Sequence, residues 1–301
     1  EKQLKKGFRN IARVPRTLIE RSFGSRPLQR CVVTRADGAW VHGRDHDEDY
    51  ATLAGKVVVV VGCGALGSAI ARLLAQAGVG NFRLIDDDIL STPNTARHAL
   101  GHPYVGKNKA KAVAQMLRTD FPHLRSAEPY PKLFEHLTPK ELESLTSSDL
   151  VISAALDYSS DLRLDSWRRE YATPPAHVCT WFEEFAIVGH AVAIIGADTL
   201  LDGFDTKGRP HFRLTDWPPE AAALITEAGC GNMFQPYGAV DIQTTVALAA
   251  RMALDILLGA NTTSRRRVWQ GSCDAVIERG GKPSDAFKES FVMKDFPWHF
   301  D

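Results

Sequence analysis

No stretch of this 301-residue sequence stays apolar for long. The nearest approach, residues 57–77, is broken by Gly62, Gly64 and Gly67 and carries Arg72, so it reads as a buried strand turning into a helix. The N-terminus has no apolar signal core, and no membrane association is expected. Cysteine is sparse: five residues, at 31, 63, 179, 230 and 273, with no C-x-x-C pair. An odd, scattered set builds no disulfide framework and suits a reducing cytoplasm; without paired cysteines no structural zinc is expected either. Net charge is absent too, with 36 basic residues against 36 acidic ones. That balance gives no global pull toward nucleic acid or anionic lipid, and no nucleic-acid partner is expected. The one local excess is an arm in which ten Lys/Arg face only Glu1 and Glu20 over the first 35 residues, most simply a solvated linker.

What remains is ordinary globular composition, 44% hydrophobic and 24% charged, which excludes general disorder. Three regions are expected. Residues 1–50 form the basic arm and a hairpin in which 31–34 and 39–41 flank the turn-prone Asp37-Gly38. Residues 51–260 form an α/β domain with a crossing loop near 196–235, rich in Asp, Gly and Pro, and residues 261–301 form a mixed tail. Strands at 56–61, 82–85 and 149–153 alternate with helices at 68–77, 109–117 and 160–171, the pattern of a doubly wound, mainly parallel sheet. Further strands are expected at 178–181 and 187–195, and a long apolar helix at 241–258 stops at Gly259 and Asn261.

Gly62-Cys63-Gly64-Ala65-Leu66-Gly67 fits G-x-G-x-x-G between a strand and a helix. Glycines there allow a tight turn and let backbone N–H groups approach a phosphate at the positive end of the helix. Asp86 follows at the end of the next strand, where a carboxylate can accept from ribose hydroxyls. The turn alone leaves NAD, FAD and ATP open. Downstream come Asp86-Asp87-Asp88, Asn94, Arg97-His98 and Gly106-Lys107-Asn108-Lys109. Carboxylates, an amide and cations so close together are what a triphosphate with a metal requires, although each alone is an ordinary surface residue. Asp157 lies at the carboxyl end of the 149–153 strand, where open α/β sheets bind ligands; Asp161 competes with it, and either can cap a helix.

The run Leu84-Ile85-Asp86-Asp87-Asp88 with Asn94, Arg97 and Lys109 resembles the adenylating signature of the ThiF/MoeB and ubiquitin-activating superfamily, a likeness covering roughly residues 52–260. The resemblance implies a Rossmann-like ThiF fold that uses ATP and Mg2+ to join AMP to a protein's C-terminal carboxylate. Gly62, Gly64, Ala65, Leu66, Gly67, Asp86 and Asp88 would line the nucleotide. Asn94, Arg97 and Lys109 would hold its phosphates and Asp157 the magnesium. His98 stands where the family more often has Gln. Cys230, between Gly229 and Gly231, corresponds to the thioester-forming cysteine, whereas Cys179 reads as core. Arg97–Gly101, the basic arm and residues 234–238 look most like the activating half of bacterial CBASS antiphage fusions. There, a ubiquitin-conjugating-like domain precedes and the substrate is a flexible protein tail, of a ubiquitin-like protein or a nucleotidyltransferase. A first residue other than Met fits a removed first half. A homodimer with an arginine reaching across is implied, with Arg35 and Arg44 as candidates. Two other readings stay open: an NAD-dependent oxidoreductase and an ATP-binding partner module without catalysis.

Overall fold

In the computed structural model the described residues are 16–27, 31–155, 157–206, 208–221, 225–226, 233–234, 236–288 and 292–298. The chain divides into Glu1–Arg35 and Ala36–Asp301. In the first unit a helix, Arg16–Phe23, buries no residue and carries one exposed ion pair, Arg16 to Glu20 at 2.7 Å. Such a pair contributes little.

The second unit begins with a departure from expectation. Asp37-Gly38 starts a helix, Gly38–Val41, and the Asp37 carboxylate accepts from the Trp40 N–H at 3.3 Å. An aspartate before glycine suits a hairpin turn and a helix cap alike; residues 31–36 adopt no regular structure, so the hairpin expected there does not form.

Five β-branched residues in a row make β1 (Val57–Val61) an interior strand of an eight-stranded sheet and the middle of its five parallel strands. With β2 (Asn81–Ile85), β3 (Ser126–Tyr130), β4 (Leu150–Ser153) and β5 (Ala176–Phe182) it forms a parallel array ordered β3-β2-β1-β4-β5. Three antiparallel strands extend it beyond β5: β6 (Val188–Ile194), β7 (Arg265–Gln270) and β8 (Met293–Pro297). The sheet therefore continues past residue 260. Alternate side chains of β1 enter different cores. Val58 and Val60 pack with α1 (Ala65–Gln76) and α2 (Lys109–Asp120), whereas Val59 and Val61 pack with α3 (Pro139–Leu145) and α4 (Tyr158–Arg169). The long helix α5 (Gln243–Leu257) joins the first core and ends before Gly259, which takes the left-handed φ of +77°. Helices on both faces make this the doubly wound α/β architecture the sequence implies. Among the described residues no helix is long and apolar enough to cross a membrane.

Between β6 and α5 the chain leaves the sheet at the edge where β5 begins and reaches its carboxyl edge at Leu214 and Thr215, and buried side chains fasten it along the way. Arg168, fully buried and paired with Asp165, donates to the carbonyls of Gly196 and Asp198. Trp298 Nε1 donates to the Thr199 carbonyl at 2.9 Å. Glu183, just after β5, accepts from the N–H groups of Leu214 (2.8 Å) and Thr215 (2.7 Å), from the Thr215 hydroxyl and from His190 Nε2. Burial alone would push this carboxyl up; those donors outweigh it and hold the carboxyl below the usual range. Removing the carboxylate strands buried donors, so Glu183→Ala should lose on the order of 3–5 kcal/mol in urea unfolding. Limited proteolysis should cut the crossing segment before any other part of this unit; a variant of wild-type stability would show that the segment is held by other means.

Candidate nucleotide site

The site lies where the sheet changes its winding direction. From β1 the chain proceeds to β2 and β3 on one side and returns to β4 on the other, so the loops leaving β1 and β4 part and open a crevice at their carboxyl ends. Each glycine of the turn meets a different demand. Gly62 adopts φ +85° and a Cβ there would come within 2.8 Å of the Ala155 backbone, at the end of β4. A Cβ on Gly67 would stand 1.9 Å from the Gly62 carbonyl oxygen, so this glycine lets α1 pack close to the strand. Gly64, the N-cap of α1, has ordinary φ and nothing within 4 Å of where a Cβ would lie. Its missing side chain leaves room in front of the helix end, where unpaired N–H groups and the helix dipole favour an anion.

Two contiguous cavities flank this turn, sharing Gly64, Lys109, Ala154 and Ala155 as walls. Their volumes, about 290 and 210 Å³, reach the usual size of a small-molecule site only together. The first holds Asp86, Asp88 and Asp157, the second Asn94, Arg97 and His98. Between them the two cavities are thus walled by Gly62, Gly64, Ala65, Leu66, Asp86, Asp88, Asn94, Arg97, Lys109 and Asp157, whereas Gly67, also expected at the nucleotide, lines neither and serves close packing. Cys230 lies outside the described residues.

Structural bonds already engage most of these side chains. Asp86 bridges the turn to its own loop, accepting from the N–H groups of Cys63 (2.6 Å) and Asp88 (2.8 Å), and burial pushes its carboxyl above the usual range. Asn94 Oδ1 accepts from the Ser91 N–H and hydroxyl, both at 3.0 Å. Lys109, nearly buried, donates its N–H to the Asp88 carbonyl at 2.8 Å and pairs its ammonium with the Asp88 carboxylate. Burial opposes that charge, yet the ammonium keeps the Asp88 carboxyl below the usual range. The Arg97 guanidinium lies over the Tyr237 ring, 4.6 Å from its centroid, and that ring meets Phe182 edge-on.

Asp157 is both a helix cap and a cavity wall. Its oxygens accept from the Ser159 N–H (3.1 Å) and the Ser160 hydroxyl (2.6 Å), capping α4. Among the described residues no three His, Cys, Asp or Glu side chains gather as a ligand set. Magnesium commonly takes one or two protein carboxylates and leaves its other positions to phosphates and water, so Asp157, with a lone pair left on each oxygen, fits that need. Asp161, one turn further along α4, lines a different cavity with Cys179. Cys179 is buried as expected of core, but it also walls that cavity and donates its thiol to Asp161 Oδ2 at 3.4 Å. Arg44 adopts the left-handed φ of 54° in a short turn at Gly43–Asp45.

Three site neighbours were not apparent in the sequence: Tyr237, Phe182 and Lys132. Lys132 follows β3 and lines the first cavity, its ammonium held by Glu141. Its position just beyond a parallel strand's carboxyl end was the one available signal.

A model of the ThiF family matches residues 43–267. Among curated proteins, the ATP-dependent ubiquitin transferase-like protein Cap2 of Pseudomonas aeruginosa is 29% identical over 256 residues, 81% of this chain and 44% of that one. The adenylyltransferase and sulfurtransferase MOCS3 of Bos taurus is 40% identical over 206 residues, 68% of this chain and 40% of its own length. The chain thus spans less than half of either relative. Among solved structures, E. coli MccB with MccA-N7isoASN matches with a TM-score of 0.56 at 14% identity, covering 84% of this chain and 66% of that one. PaaA matches with a TM-score of 0.55 at 15% identity, covering 82% and 65%. At such identities the likeness concerns the fold.

His98 ties its own loop to the glycine turn. Its Nδ1 accepts from the Leu100 N–H at 3.1 Å, so Nε2 carries the proton and donates to the Cys63 carbonyl at 2.6 Å. Burial lowers its pKa from 6.5 to about 4. A histidine depressed on folding binds fewer protons folded than unfolded between those values, so its contribution is complete above pH 6.5 and fades as pH falls toward 4. His98→Gln should therefore be less stable than wild type at pH 7, with the gap narrowing by up to about 1.4 kcal/mol per pH unit through that window. Chemical denaturation at pH 7, 5.5 and 4.5 reads this; a pH-independent gap would mean His98 is not held neutral.

Proposed function

The chain belongs to the ThiF family, and from that membership we propose that it uses ATP to adenylate the C-terminal carboxylate of a protein tail and then takes the acyl group as a thioester on Cys230. The observation that carries this reading is the convergence of Arg97, Lys109, Asn94 and Asp157 on contiguous walls around the Gly64 turn. A dinucleotide's pyrophosphate is ordinarily held by the turn and helix end alone. Two further cations and a metal-capable carboxylate suit a triphosphate with its metal.

A carboxylate is a weak electrophile because its charge is delocalised. Its oxygen attacks the α-phosphorus, the bond to the bridging β-phosphate oxygen breaks, and pyrophosphate leaves with the electron pair. The turn and α1 receive the phosphates, Asp86 and Asp88 face the ribose, and Arg97 and Lys109 neutralise the charge that develops on the leaving pyrophosphate. Asp157 would hold a magnesium ion, which when bound would supply further charge neutralisation. The Cys230 sulfur, once deprotonated, attacks the acyl carbon, and AMP leaves as the carbon–oxygen bond breaks. Extension of the reading adds a cytoplasmic homodimer and a ubiquitin-conjugating-like domain that takes the acyl group. The tail would then be that of a ubiquitin-like protein or of a CBASS nucleotidyltransferase, in antiviral defence. The names borne by Cap2, an ATP-dependent ubiquitin transferase-like protein, and MOCS3, an adenylyltransferase and sulfurtransferase, support the adenylation step of this reading.

Exchange of labelled pyrophosphate into ATP, dependent on a peptide with a free C-terminus, is expected. Arg97→Ala should lower it by on the order of 100-fold with the fold intact. Binding of NADH with no response to ATP would sink the reading. Cys230→Ala should leave exchange near wild type and abolish a thiol-sensitive adduct with the target. An adduct that survives Cys230→Ala but disappears in Cys179→Ala would move the thioester to Cys179.

A further inference from the structure

A third cavity, of about 230 Å³, lies under the crossing segment and shares the Phe182 wall with the Arg97 cavity. It is too small for a cofactor and of a size for one side chain. Its walls combine aromatic faces with carboxylates. The Tyr158 and Phe204 rings stand 5.1 Å apart and Trp181 lies 6.0 Å from Phe204. Asp161, Glu183 and Glu184 supply three carboxyl groups.

The hydrogen bonds of these groups are not equally satisfied. Glu183 is consumed by the crossing segment. Arg213, the one cation among the described wall residues, is committed to Glu184 Oε1 and to the Thr215 carbonyl. Asp161 Oδ1 and Glu184 Oε2, however, are buried with no hydrogen-bond partner among the described residues. Two stranded acceptor oxygens are costly. Burial pushes the Asp161 carboxyl up to about 6, against the opposing pull of the Ser153 and Cys179 side chains. Among the described residues no donor meets those two oxygens; a guanidinium or ammonium on an alkyl stem, which also tolerates aromatic faces, would.

We infer that this cavity is a specificity subsite for a basic side chain, arginine or lysine, near the end of the protein tail, seated among Tyr158, Trp181 and Phe204 with its head on Asp161 and Glu184. The inference rests on the adenylation reading for the tail's identity, since the shared Phe182 wall sets such a side chain beside the nucleotide cavities. The binding of the side chain itself is independent of chemistry and can be measured separately.

The probes are N-terminally fluorescent hexapeptides of glycine with a free carboxylate, bearing arginine, lysine, norleucine or glutamate at each of the last four positions in turn. Agmatine serves as the free guanidinium. Fluorescence anisotropy with the full chain should show arginine or lysine at one register binding about tenfold or more tightly than norleucine. Asp161→Asn and Glu184→Gln should each reduce that preference to within about threefold while leaving the norleucine peptide unaffected. Either variant suffices if the other fails to fold. Equal affinity for all four side chains, or a preference that persists in the folded variants, overturns the subsite; so does agmatine binding as tightly as the best peptide, which would make the ligand a free cation. Pyrophosphate exchange with the same peptides keeps the two ideas apart. A basic preference in binding without exchange sinks the adenylation reading and spares the subsite, whereas exchange without preference does the reverse.

Discussion

Everything chemical in this molecule follows from one topological constraint: neighbouring parallel strands β1 and β4 send their chains to opposite faces of the sheet. Their carboxyl ends cannot close over one another, so a crevice is left there whatever the side chains are. The glycines answer that geometry. Ala155, at the end of β4, approaches so closely that Gly62 can carry no Cβ, and the carbonyl of Gly62 in turn excludes one at position 67. The turn is thus shaped by backbone crowding, and Gly64 alone is small for the sake of open space.

Tyr237 comes to the crevice from the crossing segment between β6 and α5, whose attachment is less local. The crossing segment buries Leu200, Phe212 and Leu214 of its own, and buried polar side chains of the scaffold secure its backbone: Arg168 on carbonyls near its start, Trp298 on the next, and Glu183 on two amides further along. A buried carboxylate or guanidinium is tolerated only when its hydrogen bonds are filled, and here backbone groups of an irregular segment fill them. The same bonds therefore satisfy two needs, those of the buried charge and those of a chain whose only strand pairing near Glu183 is the short one of Thr215–Asp216 with Lys282–Pro283 among the described residues.

This division explains what could be read from the sequence. The valine run, the glycine spacing, α2 and α5 were legible because their causes lie within a dozen residues. The polar cluster from Asp86 to Lys109 was legible as a group because one loop and one helix end gather it. Glu183 carried no such sign, since two of its partners lie some thirty residues away and nothing in its neighbourhood marks it as buried. Three consecutive arginines concealed β7, whose charge is absorbed across strands and helix by Asp295 and Asp255 around Arg267. The Asp37-Gly38 pair was ambiguous in kind, because the same short polar side chain serves a turn or a cap and only the following residues decide.

The engagement of the nucleotide-side residues in structural bonds bears on how a ligand could enter. Lys109 and Arg97 are not extended into open space; one rests on Asp88 and the other on Tyr237. A phosphate that takes either cation exchanges one partner for another, so it gains less than the full strength of a new ion pair but meets side chains whose freedom has already been lost. The Lys109 exchange is the more demanding, because releasing it leaves Asp88 beside Asp86, whose carboxyl is already raised by burial. A polar ligand group that donates hydrogen bonds to those two carboxylates would relieve that repulsion at the moment the phosphate takes the ammonium. Hydroxyls at one end of the crevice and phosphates at the other, joined in one molecule, meet both demands together, which is why the pairing of Asp86 and Asp88 with Lys109 suits a nucleotide better than a free phosphate.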